Sequence, residues 1–204
     1  MFEAFQRNYS RDTWTGSRSG KTSIDPIGEL HELFEVFGGA SFRDGLYRVV
    51  HPADFVRWQE RVLLPFPEFN GRAACFGFDW LGRVFALDSG RLEGGRPAVL
   101  MFEPGTGQAL EVPANIETFH EHELAEQHDA AVASAFYHLW RASGGAAPGY
   151  DECIGYKKPL FLGGVDGVEN VELSDLDVYW HLMGQLIAKA RNLPLGTRIR
   201  IEGQ

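Results

Sequence analysis

The sequence is poor in cysteine and has no long apolar run. Only two of its 204 residues are cysteines, Cys75 and Cys153, and neither has another Cys or a His beside it at metal-ligand spacing. This excludes a disulfide framework, and we interpret both as small buried apolar side chains in a reducing compartment. No stretch reaches the roughly 18 consecutive apolar residues of a membrane span. Residues 1–7 lack the apolar segment of a signal peptide, so we expect a cytoplasmic protein without membrane contact.

Motifs for nucleotide binding and nucleophilic catalysis are also missing. The stretch 16–22 (GSRSGKT) has three residues between its glycines where a phosphate-binding loop needs four, and no apolar strand precedes it. Arg18 stands where a nucleophile elbow requires serine. The aromatic residues (15 Phe, 6 Tyr and 5 Trp) are not interleaved with a basic patch, so we expect no nucleic-acid surface. The sequence predicts no catalytic residues and no cofactor.

Residues 120–128 contain three histidines and three glutamates and are the best candidate for a metal site. The pattern is not that of a helical zinc motif, because Glu126 stands where His122 would need a second histidine four residues later. Residues two or six apart on a helix do not share a face, so His120, His122 and His128 are poorly spaced for one ion. We therefore interpret the cluster as a solvated first turn whose acids complement the helix dipole.

Charge is distributed unevenly along the chain. The net charge is −9 overall, but residues 103–188 carry −11, against −1 for residues 1–102 and +3 for residues 189–204. An acidic field repels nucleic acid, attracts basic proteins and mainly raises the rate of association. The segment 103–188 therefore indicates either a solvated surface or a docking surface for a basic protein.

Hydrophobic periodicity predicts an α+β fold with a mainly antiparallel sheet. Residues 74–112 read as four strands separated by tight turns with no helix between them, which favours a β-meander over a parallel doubly wound sheet. The other predicted elements are, in chain order, a polar loop or arm at 6–23; a helix from Asp25 and Pro26 to Phe37; a strand at 46–50; a helix from Pro52 that ends before Pro65; a Gly/Arg loop at 89–96; a long helix at about 121–142; a linker at 143–150; a helix capped by Ser174 and Asp177 that stops at Pro194; and a terminal strand at 197–201. The last helix is predicted to bury Val178, Tyr179, Leu182, Met183, Leu186, Ile187 and Ala190.

Several passages carry a family resemblance. They are 76–83 (FGFDWLGR), 100–107 (LMFEPGTG) and 153–164 (CIGYKKPLFLGG), with 177–180 (DVYW) and 184–187 (GQLI) further on. Together they resemble the bacterial immunity proteins paired with DNase effectors of the type VI secretion system, whose members join a GAD-like N-terminal region to a characteristic C-terminal region. The resemblance implies a GAD-like α+β region at 1–148 and an immunity-family region at 149–204 that packs on the first.

The resemblance also implies a function without catalysis: binding and neutralising a cognate basic nuclease toxin, as in a toxin–antitoxin pair. Because a DNase holds phosphates in a basic groove, we expect carboxylates of the acidic segment to occlude that groove. The predicted partner-binding residues are Asp166, Glu169, Glu172, Glu121 and Glu123. Two alternatives remain at this point: a regulatory or scaffolding module for an internal protein partner, and a metal-dependent hydrolase that uses the histidines at 120–128.

Overall fold

The computed structural model describes residues 2–13 and 28–191 and has the predicted α+β fold. In these residues, six strands form one antiparallel sheet in which each strand pairs with the next along the chain, and two more strands form a separate hairpin. The strands of the sheet are β1 (Ser41–Phe42), β2 (Tyr47–Val49), β3 (Ala73–Asp79), β4 (Val84–Glu93), β5 (Arg96–Glu103) and β6 (Gln108–Asn115). Those of the hairpin are β7 (Glu152–Tyr156) and β8 (Val171–Asp175).

The β-meander is confirmed, with strands longer than predicted. All seven residues of β3 are buried, which fits its nearly uninterrupted apolar sequence. The predicted loop at 89–96 is wrong: β4 continues to Glu93, and Gly94 and Gly95 turn the chain directly into β5. Both glycines have positive φ (59° and 81°), the conformation that a two-residue hairpin turn requires.

The described residues contain seven α-helical segments. They are α1 (Glu3–Asn8), α2 (His31–Phe37), α3 (Phe55–Leu63), α4 (Ile116–Thr118), α5 (His128–Val132), α6 (Ser134–Ala142) and α7 (Leu176–Ala190). A π-helix, Phe119–Leu124, continues from α4, and a short 3₁₀ turn, Pro52–Asp54, precedes α3. None of the helices in the described part of the chain is long and apolar enough to cross a membrane.

The prediction of one long helix at 121–142 is wrong. The segment begins as a π-helix and is interrupted again at Ala133, whose φ of 48° lies in the left-handed region. The indole of Trp80 donates a hydrogen bond to the Val132 carbonyl (2.8 Å), and the Asp129 carboxylate accepts from the Ala135 backbone N–H (2.7 Å). These tertiary and side-chain bonds satisfy backbone groups that a continuous helix would pair internally.

The prediction of a polar loop or arm at 6–23 is wrong for residues 6–8, which are helical, whereas residues 9–13 have no helix or strand beyond one isolated bridge. Residues 6–8 belong to α1, and Phe5 and Tyr9 are buried on either side of them. Arg11 forms an isolated antiparallel bridge with Phe42 beside the edge strand. The apolar spacing of Phe5 and Tyr9, one helical turn apart, attaches this segment to the core. The helix start at Pro26, the phosphate-loop-like stretch 16–22, the stop at Pro194 and the strand at 197–201 lie outside the described residues.

Helix α7 is confirmed, but its cap and part of its buried face differ from prediction. Asp175 is the cap, and its side chain accepts a hydrogen bond from the Val178 N–H (2.9 Å). Val178 and Leu182, predicted to be buried, are 55% and 51% exposed. The predicted burial of Tyr179, Met183 and Ile187 is confirmed, and Leu176, Trp180 and Gly184 are buried beside them.

A buried arginine joins the sheet to the hairpin. The guanidinium of Arg48, which is 0% exposed, donates to the backbone carbonyls of Asp79 (2.6 Å), Gly149 (2.6 Å) and Glu152. Tyr150 is also buried, and its hydroxyl donates to the Val49 carbonyl (3.1 Å). The end of the predicted linker at 143–150 is therefore fixed against β2. Core side chains from both sides of residue 148 lie in one cluster, and the division at 148/149 stays a prediction.

Arg48→Met should lower the free energy of unfolding by about 3 kcal/mol or more, because buried carbonyls lose a charged donor that methionine cannot replace. Urea denaturation measures the difference. The matched control is Arg57→Met, since the Arg57 side chain is 42% exposed and 3.4 Å from Asp54. We expect a change of about 0.5 kcal/mol there. Equal losses in the two variants would contradict the joining role of Arg48.

Candidate functional site

Several loops meet around a cavity of about 400 Å³. They are the β3–β4 turn, the β5–β6 turn, the break before α6 and the segment that follows β7. Its polar lining residues are Arg83, Glu103, Thr106, Tyr156 and Asp166. Its apolar lining residues are Leu81, Ala133, Phe136 and Leu160. We call this cavity the Asp166 pocket.

The loops approach one another closely because glycines leave room for them. A Cβ at Gly105 would lie 2.6 Å from the ring of Tyr156, and the Gly105 carbonyl accepts a hydrogen bond from the Leu160 N–H (2.8 Å). Gly82 turns the chain with a φ of 77°, and a Cβ there would lie 3.3 Å from the sulfur of Cys153. Three passages that carry the family resemblance, 76–83, 100–107 and 153–164, therefore converge on this pocket.

One wall of the pocket is held by a buried ion pair. The Asp79 carboxylate accepts hydrogen bonds from the backbone N–H groups of Leu81 and Arg83 (3.0 Å each) and from Arg83 Nε (2.6 Å). Asp79 is fully buried and the Arg83 side chain is 8% exposed. Although burial opposes the charge on Arg83, Asp79 and Glu103 raise its pKa. The guanidinium of Arg83 is thus fixed and neutralised by Asp79.

Glu103 places a carboxylate in the pocket lining. Its Oε1 accepts from the Gly105 N–H (3.0 Å), whereas its Oε2 lies 3.7 Å from Arg83 Nε, too far for a hydrogen bond. Burial raises the pKa of Glu103 to about 7; Arg83 opposes this shift, and the negative charges of Asp79 and Asp166 add to it. Near neutral pH, a positive charge that enters the pocket would favour the ionised form of Glu103.

Asp166 is exposed beside the pocket and accepts a hydrogen bond from the Tyr156 hydroxyl (2.6 Å). Burial, together with this bond, raises the pKa of Tyr156, so the phenol stays neutral. The hydroxyl oxygen of Thr106 is buried and has no hydrogen-bond partner among the described residues. The described lining therefore carries two carboxylates and one guanidinium that is already paired.

The other predicted partner-binding residues lie in two places. Glu169 and Glu172 are exposed on the segment after Asp166: Glu169 in a 3₁₀ turn and Glu172 on β8. Glu121 borders a different concavity, where its carboxylate accepts a hydrogen bond from the Ala4 N–H at the start of α1 (2.9 Å). Glu123 is half-buried in the same π-helix. The structure thus groups Asp166 with Glu169 and Glu172 in one segment and gives Glu121 a contact within the fold.

The histidines at 120–128 do not form a common site. His120 is 0% exposed, with its ring nitrogens 3.0 Å from the Tyr47 hydroxyl and 2.8 Å from the Ile116 carbonyl, and burial lowers its pKa to about 4. His122 is exposed near Glu126, and His128 Nδ1 lies 2.6 Å from the Ser134 hydroxyl. Within residues 2–13 and 28–191, no group of three or more His, Cys, Asp or Glu side chains is placed to hold a metal ion.

The sequence pattern assigns no role to Asp79, Arg83 and Glu103, although they lie within the passages that carry the resemblance. Glu103 ends the apolar run of β5, and Asp79 and Arg83 flank a turn at a separation of four residues. A charged residue at the end of a buried strand was the available signal. Because solvated turn residues have the same pattern, the signal alone does not identify a pocket.

Glu103→Gln should stabilise the protein in a pH-dependent way. The pKa of Glu103 is about 7 in the folded protein and 4.5 in a solvated chain, so the folded state binds the proton more tightly. Protonation of Glu103 therefore adds to the free energy of unfolding of the wild-type protein at low pH, and this contribution is lost as the pH rises from about 5 to about 7. Glutamine, which carries no charge, should raise the free energy of unfolding by on the order of 2 kcal/mol near pH 8 and by less near pH 5.

Urea denaturation at the two pH values tests this. The control is Glu111→Gln, whose parent side chain is 70% exposed, and for which we expect a small difference at both pH values. A Glu103→Gln effect that is the same at both pH values would contradict the raised pKa.

Comparisons with known proteins agree with the fold and with part of the resemblance. Residues 114–187 match the family model described as T6SS immunity protein Tdi1, C-terminal. No curated protein matches the chain. The crystal structure of Atu4351 from Agrobacterium tumefaciens is similar, with a TM-score of 0.62 and 14% identity over 91% of this chain and 89% of that chain. At this identity the likeness shows the fold alone.

The matched segment runs from the end of β6 into α7 and includes five lining residues of the Asp166 pocket: Ala133, Phe136, Tyr156, Leu160 and Asp166. It begins ahead of the predicted division at 148/149. Over residues 114–187, the chain is similar to the C-terminal region of a type VI secretion immunity protein.

Proposed function

We propose that this protein is a cytoplasmic, non-enzymatic immunity protein that binds a cognate secreted nuclease and neutralises it by occluding its basic DNA-binding groove. The match of residues 114–187 to a type VI secretion immunity family carries the proposal. The choice of a nuclease rests on the resemblance and on charge. A protein that takes the place of DNA in a basic groove needs a negative surface, and residues 103–188 carry a net charge of −11.

The surface proposed for this contact is the segment that bears Asp166, Glu169 and Glu172. All three side chains are exposed, so they reach a partner without unfolding. Glu172 lies on β8, opposite Gly155 of β7, and the Lys157 ammonium donates to the Glu169 carbonyl (2.8 Å). The hairpin therefore presents these acids on an ordered backbone. Exposed charges of this kind chiefly accelerate association and select a partner of opposite sign.

Glu121 and Glu123 are a secondary part of the proposal. Because the Glu121 carboxylate already accepts a hydrogen bond from α1, its replacement would disturb the N-terminal helix as well as any partner contact. The Asp166 segment is therefore the cleaner place to test the function.

A tagged full-length chain should capture a basic nuclease in near-equal amount from lysate of its own organism. The captured enzyme, assayed on plasmid DNA, should lose its activity when one equivalent of the protein is added. If a nuclease is captured but still cleaves plasmid DNA when one equivalent of the protein is added, the proposal is contradicted.

The triple variant Asp166→Asn, Glu169→Gln, Glu172→Gln should bind the captured nuclease about tenfold more weakly, mainly through a slower association rate at low salt. The matched control replaces three exposed acids elsewhere, Glu35→Gln, Glu60→Gln and Glu93→Gln, and leaves affinity nearly unchanged. Surface plasmon resonance at two salt concentrations measures both rates. Equal affinity of the two triple variants would place the contact on another surface.

A further inference from the structure

We propose that the Asp166 pocket binds one basic side chain, lysine or arginine, of the protein partner. This inference rests on the proposed function and deepens it, since it adds an anchoring site to a surface that would otherwise act through charge alone. A side chain buried in a pocket near the centre of an interface contributes more binding energy than exposed charges around it.

The size and lining of the pocket suit a long amphipathic side chain. Its volume of about 400 Å³ lies within the roughly 300–1,000 Å³ typical of ligand pockets. Leu81, Phe136 and Leu160 provide apolar surface for a methylene chain. Lysine and arginine bury such chains against apolar surface while their charged ends remain with polar groups.

The charges of the pocket favour a cation. Arg83, the guanidinium of the described lining, is held by Asp79 at 2.6 Å. The Glu103 Oε2 atom is beyond hydrogen-bond distance of Arg83, at 3.7 Å, and is available to another donor. Asp166 places a further carboxylate beside the pocket. An anion would meet both carboxylates with no unpaired positive charge to offset them.

The hydroxyl of Thr106 is a further polar group of the lining that could accept from a bound cation. Its oxygen is inaccessible to solvent and has no hydrogen-bond partner among the described residues, although it belongs to the pocket lining. A buried polar atom without a partner costs about 1–3 kcal/mol, and rotation of the Thr106 side chain toward a donor in the pocket would recover part of this. Ammonium and guanidinium groups bring three and five N–H donors and no acceptor, which matches a lining of oxygen acceptors.

The test uses the full chain labelled with ¹⁵N and small probes in place of the partner. Nα-acetyl-arginine amide and Nα-acetyl-lysine amide, whose side chains are charged, are titrated separately. Nα-acetyl-citrulline amide, which is nearly isosteric with the arginine probe but uncharged, serves as the control. We expect saturable shifts of the amide signals of Gly105, Thr106 and Asp166 with at least one charged probe and none with citrulline. Asp166→Asn and Thr106→Val should each weaken probe binding about threefold or more, whereas Glu169→Gln should not.

No saturable shift of these amides with either charged probe, or equal shifts with citrulline, overturns the inference. If the captured nuclease then still binds and is inhibited, the proposed function stands without the pocket. If a charged probe binds in the pocket but no nuclease is recovered, the pocket is supported as a site for basic side chains and the nuclease is rejected as their source.

Discussion

The organisation of this fold depends on Asp79 at the end of β3. Its buried carboxylate accepts hydrogen bonds from two backbone N–H groups of the β3–β4 turn and from Arg83, and its carbonyl accepts one from Arg48. Arg48 in turn holds the carbonyls of Gly149 and Glu152, at the point where the hairpin begins. A buried charge is costly unless it is paired, so each of these contacts stabilises the arrangement of the others. One residue thus shapes a turn, one wall of the pocket and the position of the C-terminal hairpin.

Two tryptophans also form hydrogen bonds that involve the β3–β4 turn. The Trp80 indole donates to the Val132 carbonyl, where the chain breaks before α6, and the Trp180 indole donates to the Gly82 carbonyl (2.7 Å). Both Trp80 and Trp180 are 0% exposed, so each indole N–H has a hydrogen-bond partner inside the core. Because both bonds involve the β3–β4 turn, they hold the break before α6 and helix α7 against this turn, and the break contributes Ala133 to the lining of the Asp166 pocket. The passages that carry the resemblance shape the pocket, and the exposed acids after it offer the charge that a basic partner would meet.

Local sequence predicted the elements whose stability is local. The alternation and the glycine turns of residues 74–112 led to the correct meander, since pairing of adjacent strands needs little beyond pattern and turn chemistry. Helix α7 was also predicted from its periodicity. The predictions are wrong where side chains distant in sequence form hydrogen bonds with backbone groups, or where aromatic side chains pack into the core. The Trp80 bond interrupts the helix predicted at 121–142, and burial of Phe5 and Tyr9 orders a segment that its polar composition presented as a loop.

The candidate site also combines features that the sequence predicts with features that only the structure shows. The sequence by itself determined that residues 103–188 are acidic, that catalytic and nucleotide-binding motifs are missing, and that three glycine-containing passages stand out. Only the tertiary structure decided that these passages meet around one cavity, that Glu103 shares it with a guanidinium already neutralised by Asp79, and that His120 lies in the core. The physical reason is that charge and turn geometry are properties of short segments. Burial, the pKa shifts that burial causes and the convergence of loops depend on long-range packing, to which residues more than a hundred positions apart contribute.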